Sequence, residues 1–213
     1  MQTYLNPAKG WVLFILALSL FLLIMVLVVS GGSLVRLDDF LQDRLESVRT
    51  PDVVRAAFVF TQLGGIYVDT TVTLLCVALL IWRREFLGSI IFLVVMYGLG
   101  AFTHGFKYVV GRQRPPSIEG YTDPTPSFPS DHCAYTTALV TCLVLLVVPL
   151  FSGARWSRLV AVFLMLLPVL VALCRMLLSM HYLSDTLAGI AIGLSWALFV
   201  VLIFQRLRGT GRV

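Results

Sequence analysis

Charge is what this sequence has least of. Only 13% of its 213 residues are charged, while 59% are hydrophobic. An ordinary soluble domain carries about a quarter charged residues. The mean hydropathy of +0.93 excludes a conventional water-soluble domain and selects a single membrane bundle spanning residues 1–213. Metal-ligand spacing is missing too. The four cysteines, Cys76, Cys133, Cys142 and Cys174, form neither a CxxC-type site nor a disulfide framework. They read as small apolar side chains in membrane helices. A polybasic block is also absent. The net charge of +5 comes from basic residues scattered between apolar runs, which excludes nucleic acid as a partner. No long linker, low-complexity segment or convincing internal repeat divides the chain. The apolar run from Trp11 to Val29 follows Lys9, but it is too long for a signal peptide and lacks a clear A-x-A cleavage site. It reads as a retained first transmembrane helix.

What is present is an all-α pattern. Six apolar segments, at roughly 10–30, 64–82, 86–110, 131–151, 156–178 and 182–205, each approach the ~20 residues that cross a bilayer. Between the first two lies Leu34 to Val54. Leu37, Phe40, Leu41, Leu45 and Val48 recur there at helical spacing among Asp38, Asp39, Asp43 and Glu46. That pattern predicts an amphipathic helix on the membrane surface. Pro51 and Asp52 suit the start of another helix, which runs into the second span with a break at Gly64-Gly65. Basic residues in short loops favour both termini inside. Gly189-x3-Gly193 is a small-xxx-small pair, read as packing within the bundle. His104, three residues before Lys107, reads as structural or interfacial.

Three polar patches interrupt the apolar pattern, all at span ends on one expected face of the membrane. They are Lys107 to Pro115, Pro129 to His132, and Cys174 to Asp185. Ionisable groups in such places are expensive unless they face a polar cavity. Lys107 and Arg114 are seven residues apart, close to one helix face. Gly111 and Pro115 end that helix and leave Arg114 at a mouth. Two converging cations suit an anion, and a guanidinium fork matches phosphate oxygens. Ser130 is placed as the N-cap of the fourth span, whose N-terminus offers free N–H groups to an anion. His132 there can hand a proton to a leaving oxygen. His181 and Asp185, at i and i+4, share a helix face. The carboxylate would fix the tautomer and leave the other ring nitrogen free to attack. Arg175 and His181 can meet only if the chain turns between them.

Each patch alone has an ordinary reading as a snorkelling cation, a helix cap or a surface ion pair. Together they supply three cations, a helix N-terminus, two histidines and a carboxylate. That inventory suits phosphoryl transfer, in which positioning and charge stabilisation do most of the catalysis. No Cys/His or carboxylate cluster resembles a metal site. The expectation is therefore a metal-independent reaction with no cofactor.

The same patches resemble the signature of the type 2 phosphatidic acid phosphatase family, which shares its site with vanadium haloperoxidases. That signature runs K-x6-R-P, P-S-G-H and S-R-x5-H-x3-D. Lys107, Arg114 and Pro115 match the first part, Pro129, Ser130 and His132 the second, and Arg175, His181 and Asp185 the third. The resemblance implies that Lys107, Arg114, Arg175 and Ser130 bind phosphate. It implies that His181 forms a phosphohistidine, that His132 protonates the leaving oxygen and then activates water, and that Asp185 holds His181. Asp131 stands where the family has Gly, and Cys174 where it has Ser. A P-S-D-H version looks similar to bacterial undecaprenyl-diphosphate phosphatases. The implied partners are a phosphorylated lipid, the bilayer and water. The implied place is a bacterial plasma membrane with the site on the extracytoplasmic side. Phosphatidylglycerophosphate, phosphatidic acid, isoprenoid diphosphate and lipid A phosphates all remain open as substrates. A transporter using the charges for binding alone, and a haloperoxidase, are the rival readings. The loop from Arg112 to Phe128 is expected to cover the site, with Tyr121 near the head group.

Overall fold

In the computed structural model, residues 5–118, 123–151 and 154–210 are described; Tyr121 lies outside them. Eight helices account for the architecture: α1 (Pro7–Val29), α2 (Ser33–Glu46), α3 (Pro51–Thr61), α4 (Ile66–Trp82), α5 (Phe86–Val110), α6 (Asp131–Cys142), α7 (Ala154–Leu177) and α8 (Leu183–Thr210). Among the described residues, six helical segments are long and apolar enough to cross a membrane, with α3 and α4 forming one of them. The protein is an integral membrane bundle with an additional amphipathic helix, α2, between the first two spans.

Local chemistry sets the boundaries. Asn6 caps α1 by accepting from the N–H groups of Ala8 and Lys9, with Pro7 at the first turn. Thr50 caps α3 in the same way, with Pro51 and Asp52 following; both arrangements satisfy donors that a helix start leaves open. Gly65, in extended conformation, breaks the second span between α3 and α4. At the end of α5, Gly111 takes φ +59° and donates its N–H to the Lys107 carbonyl. That left-handed cap is the conformation glycine tolerates best.

The outward faces are apolar. Val12, Leu16, Phe163 and Leu166 stand exposed, as helices facing lipid rather than water require. α8 is the central helix, packed against α1 and α6. Its glycines make the approach to α6 possible. A Cβ at Gly189 would lie 2.5 Å from the Ser130 carbonyl oxygen, and one at Gly193 would lie 2.2 Å from that of Ala134. The small-xxx-small pair thus serves packing inside the bundle. Gly193→Ala is expected to push α6 off α8 and lower stability by about 1–3 kcal/mol, measured as a lower Tm of detergent-solubilised protein. An unchanged Tm would show that the two helices separate without cost.

The orientation of α2 is less expected. Its buried residues are polar, Asp38 and Gln42, while Leu37, Phe40 and, just past its end, Val48 are exposed. The inward face carries Asp38 and Gln42 beside half-buried Leu34, Leu41 and Leu45, while Asp39, Asp43 and Glu46 stay exposed.

Candidate functional site

The three polar patches meet at one end of the bundle, around a cavity of about 410 Å³ lined in part by Arg114, Arg175, His132 and His181. α5 delivers Lys107 in its last turn, and the chain beyond Gly111 carries Arg114 out of the helix. α6 begins at the cavity with Ser130 at its cap position. The Ser130 N–H donates to the Asp185 carbonyl at 3.0 Å, which ties the start of α6 to the first turn of α8. The Ser130 hydroxyl caps nothing and is buried without a hydrogen-bond partner.

The chain does turn between Arg175 and His181. α7 ends at Leu177, the Met180 N–H donates to the Arg175 carbonyl, and Ser179 adopts φ +55°. Both side chains thereby reach the same cavity. The Arg175 Nε is buried without a partner.

His181 precedes α8 instead of lying on it, so the helical i, i+4 geometry does not apply. Its Nδ1 is 3.7 Å from Asp185 Oδ2, longer than a hydrogen bond. Its Nε2 is 3.2 Å from Arg114 Nη1. A guanidinium can only donate, so Nε2 must be the accepting nitrogen and the proton belongs on Nδ1, toward Asp185. The lone pair on the cavity side is therefore Nε2. Burial, followed by the positive charges of Arg175, Arg114 and Lys107, lowers the His181 pKa well below its ordinary 6.5. The imidazole is neutral at neutral pH.

Arg114 is held from several sides. It donates to the carbonyls of Thr125 and Met180 at 2.8 and 2.7 Å and to Asp123 Oδ2 at 2.8 Å. Asp123 and Thr125 thus brace the Arg114 side chain. Lys107 is arranged differently from the other cations. Its ammonium donates to the Pro126 and Pro129 carbonyls and lies 3.3 Å from Asp131 Oδ2. Lys107 is buried and does not border the cavity, whereas Asp131 does. Of this pair, Asp131 is the one that faces the cavity. His104, read as structural from the sequence, lines the cavity and meets Tyr108 edge-on at 4.9 Å.

The PAP2 superfamily model matches residues 88–208, more than half of the chain. The chain belongs to the PAP2 superfamily. The match contains every one of the seven residues singled out by spacing. A transmembrane PAP2-type phosphatidylglycerolphosphate phosphatase from Bacillus subtilis has a similar fold. The TM-score is 0.77 at 21% identity, over 89% of this chain and 96% of that one. No curated protein matches the sequence.

A buried network behind this candidate site is not visible from the motifs. Arg112 donates to Asp185 Oδ1 at 2.6 Å, to Asp38 Oδ2 at 2.8 Å and to the Ser184 hydroxyl at 2.6 Å. It also lies over the Tyr182 ring at 4.1 Å. Burial alone would lower the Arg112 pKa, but Asp185 and Asp38 together hold it above its ordinary value. Asp38 further accepts from the Ser184 N–H and hydroxyl. Gln42 donates to the His181 carbonyl at 2.8 Å. Arg49 donates to the Leu177 and Met176 carbonyls and to the Gln42 side chain. α2 and Arg49 thus hold the turn that presents His181. The Arg-Gln-Arg sequence before Pro115 was the available signal for Arg112; none existed for Asp38.

Proposed function

We propose that this protein is a metal-independent lipid phosphatase that works through a phosphohistidine at His181. The observation that carries the reading is His181 Nε2, 3.2 Å from Arg114 Nη1 in the cavity that also holds His132 and Arg175. In the first step Nε2 attacks phosphorus and the bond from phosphorus to the lipid oxygen breaks. His132, in its protonated form, supplies the proton to that oxygen. In the second step His132 takes a proton from water, the hydroxide attacks phosphorus, and the P–N bond breaks to release inorganic phosphate.

Arg114 and Arg175 stabilise the charge that builds on the equatorial oxygens, as a divalent cation does elsewhere. The Ser130 hydroxyl, with no other partner, is free to donate to the same oxygens. The N–H groups at the start of α6 favour an anion there. Lys107 pairs with Asp131. Asp185 faces the Nδ1 proton and orients the ring. The substrate is a phosphorylated membrane lipid, with phosphatidylglycerophosphate, phosphatidic acid and undecaprenyl diphosphate as the leading forms. The protein works in a bacterial plasma membrane, with the site on the extracytoplasmic side.

The test is phosphate release by purified protein across a panel of lipid monophosphates and diphosphates, with and without a metal chelator. Release unaffected by the chelator is expected. A protein that binds these lipids and releases no phosphate would instead be a carrier.

The lowered pKa of His181 gives a second expectation. A neutral nucleophile stays neutral as pH falls through 6.5, so its loss by protonation begins only well below that value. The acid limb of kcat/KM, corrected for ionisation of the substrate, should therefore fall at a pH well under 6.5. A limb at or above 6.5 would contradict the assignment.

A further inference from the structure

One buried acid near the cavity has no role in the reaction proposed above. Asp69 lies in the first turn of α4, only 4% exposed. Its Oδ1 is buried with no hydrogen-bond partner. One turn later the Thr73 hydroxyl is likewise buried and unpartnered. Asp69 lines the catalytic cavity, and with Tyr135 it also lines a neighbouring cavity of about 80 Å³ that Thr73 borders. The two spaces adjoin across these side chains.

Unpaired buried acceptors are costly in a folded protein. Where they border a cavity beside reactive groups, a ligand able to donate a hydrogen bond completes them. The fold also makes room here. Tyr135 sits one helical turn beyond His132 on α6, and its hydroxyl would be 2.5 Å from a Cβ at Gly100. Only glycine at position 100 lets the phenol lie there. At Gly64, just before the break, a Cβ would meet the Thr136 hydroxyl at 2.3 Å. That glycine lets the α3–α4 break approach the start of α6.

Charge decides what kind of ligand fits. Among the described residues lining the catalytic cavity, two arginines, Arg114 and Arg175, face three carboxylates, Asp69, Asp123 and Asp131. One phosphoryl group can be held between the arginines. A second phosphate placed toward Asp69 would meet a carboxylate with no cation beside it.

We infer that Asp69, with Tyr135 and Thr73, forms a leaving-group subsite that accepts a free hydroxyl on the alcohol side of the scissile bond and disfavours a second phosphate. The inference rests on the phosphatase reading above and deepens it. The substrate class it names is a lipid phosphate monoester with a hydroxyl near the ester oxygen.

Two substrates that differ in one hydroxyl test it: 1-oleoyl-glycerol 3-phosphate and the monophosphate of 1-oleoyl-propane-1,3-diol. The wild-type protein should favour the hydroxylated lipid by about tenfold or more in kcat/KM, because a site built to bond a hydroxyl is left unpaired by its analogue. Asp69→Ala should bring that ratio close to one. Asp69→Asn, whose amide still bonds a hydroxyl, should keep most of it. Farnesyl phosphate should be cleaved faster than farnesyl diphosphate by wild type, and Asp69→Asn should narrow that gap. A wild-type ratio near one overturns the inference without any variant, as does a ratio undiminished in Asp69→Ala or a diphosphate cleaved as readily as the monophosphate. If wild type releases phosphate from none of these lipids, the phosphatase reading itself fails, a result distinct from loss of hydroxyl preference alone.

Discussion

Replacing His181 with alanine should lower phosphate release by a factor on the order of 10⁴ or more, with the protein still folded. The size follows from the role. If Nε2 makes the bond to phosphorus, its loss removes the attacking atom; the other imidazoles bordering the cavity, His132 and His104, are carried by different helices, α6 and α5. His132 sits at the start of α6 and is assigned the proton. Cys133 and Cys174 are buried and do not line the cavity. Folding should survive because the His181 ring makes few directional contacts. Its Nδ1 has no hydrogen-bond partner, and the turn that carries it is held through backbone carbonyls, by Gln42 at residue 181 and by Arg49 at residues 176 and 177. Alanine keeps all of those. The measurement is phosphate release beside the thermal unfolding of the same preparation. A labelled phosphoryl group that survives an alkaline quench on wild type, and is absent from the variant, would place the intermediate on this residue. Retained turnover in a folded His181→Ala protein would remove the phosphohistidine mechanism.

What the sequence disclosed about this site depended on distance along the chain. Caps, breaks and spans are local, and Asn6, Thr50, Gly65 and Gly111 act where their residue types suggest. The motif residues fall in three short patches that gather around one end of the bundle, with Lys107 paired to Asp131. Spacing misleads where the backbone departs from the helix it presumes. An i, i+4 pair such as His181 and Asp185 shares a face only within a helix, but α8 starts only at Leu183. Their separation is then set by a turn, and it is 3.7 Å.

The amphipathic helix shows a second limit. Periodicity tells which residues of α2 share a face. It does not tell which face points inward. Asp39, Asp43 and Glu46 stay exposed, as acids beside water or head groups do, but Asp38 does not. Here the interior at this end of the bundle is polar, so Asp38 and Gln42 turn into it and Leu37 and Phe40 turn out. Asp38 meets Ser184 across 146 residues and Arg112 across 74. No local pattern encodes such pairings, and α2 also lies outside the segment matched by the family model.

That network carries the second large expectation. Asp38 and Asp185 are fully buried, and Arg112 is the cation that reaches both. Arg112→Ala would leave two carboxylates buried without it. Removing one partner of a buried ion pair typically costs about 3–5 kcal/mol, far more than an exposed pair would. The variant should therefore unfold at a clearly lower temperature. Its residual activity should also fall, because Asp185 faces His181 and Ser184 and Asp38 hold the first turn of α8. Arg112→Lys keeps the charge but not the fork that bonds Asp38 and Asp185 through separate nitrogens, so it should recover stability only in part. Asp38→Asn should be milder than Arg112→Ala, since its amide oxygen can still accept from the Ser184 N–H while one buried negative charge is gone. The informative comparison is the double variant. With Asp38→Asn in place, Arg112→Ala strands one carboxylate instead of two, so its additional cost should be smaller than in the wild-type background. Equal costs in the two backgrounds would mean that Asp38 and Arg112 are neighbours without being coupled, and that α2 does not support the reactive turn through them.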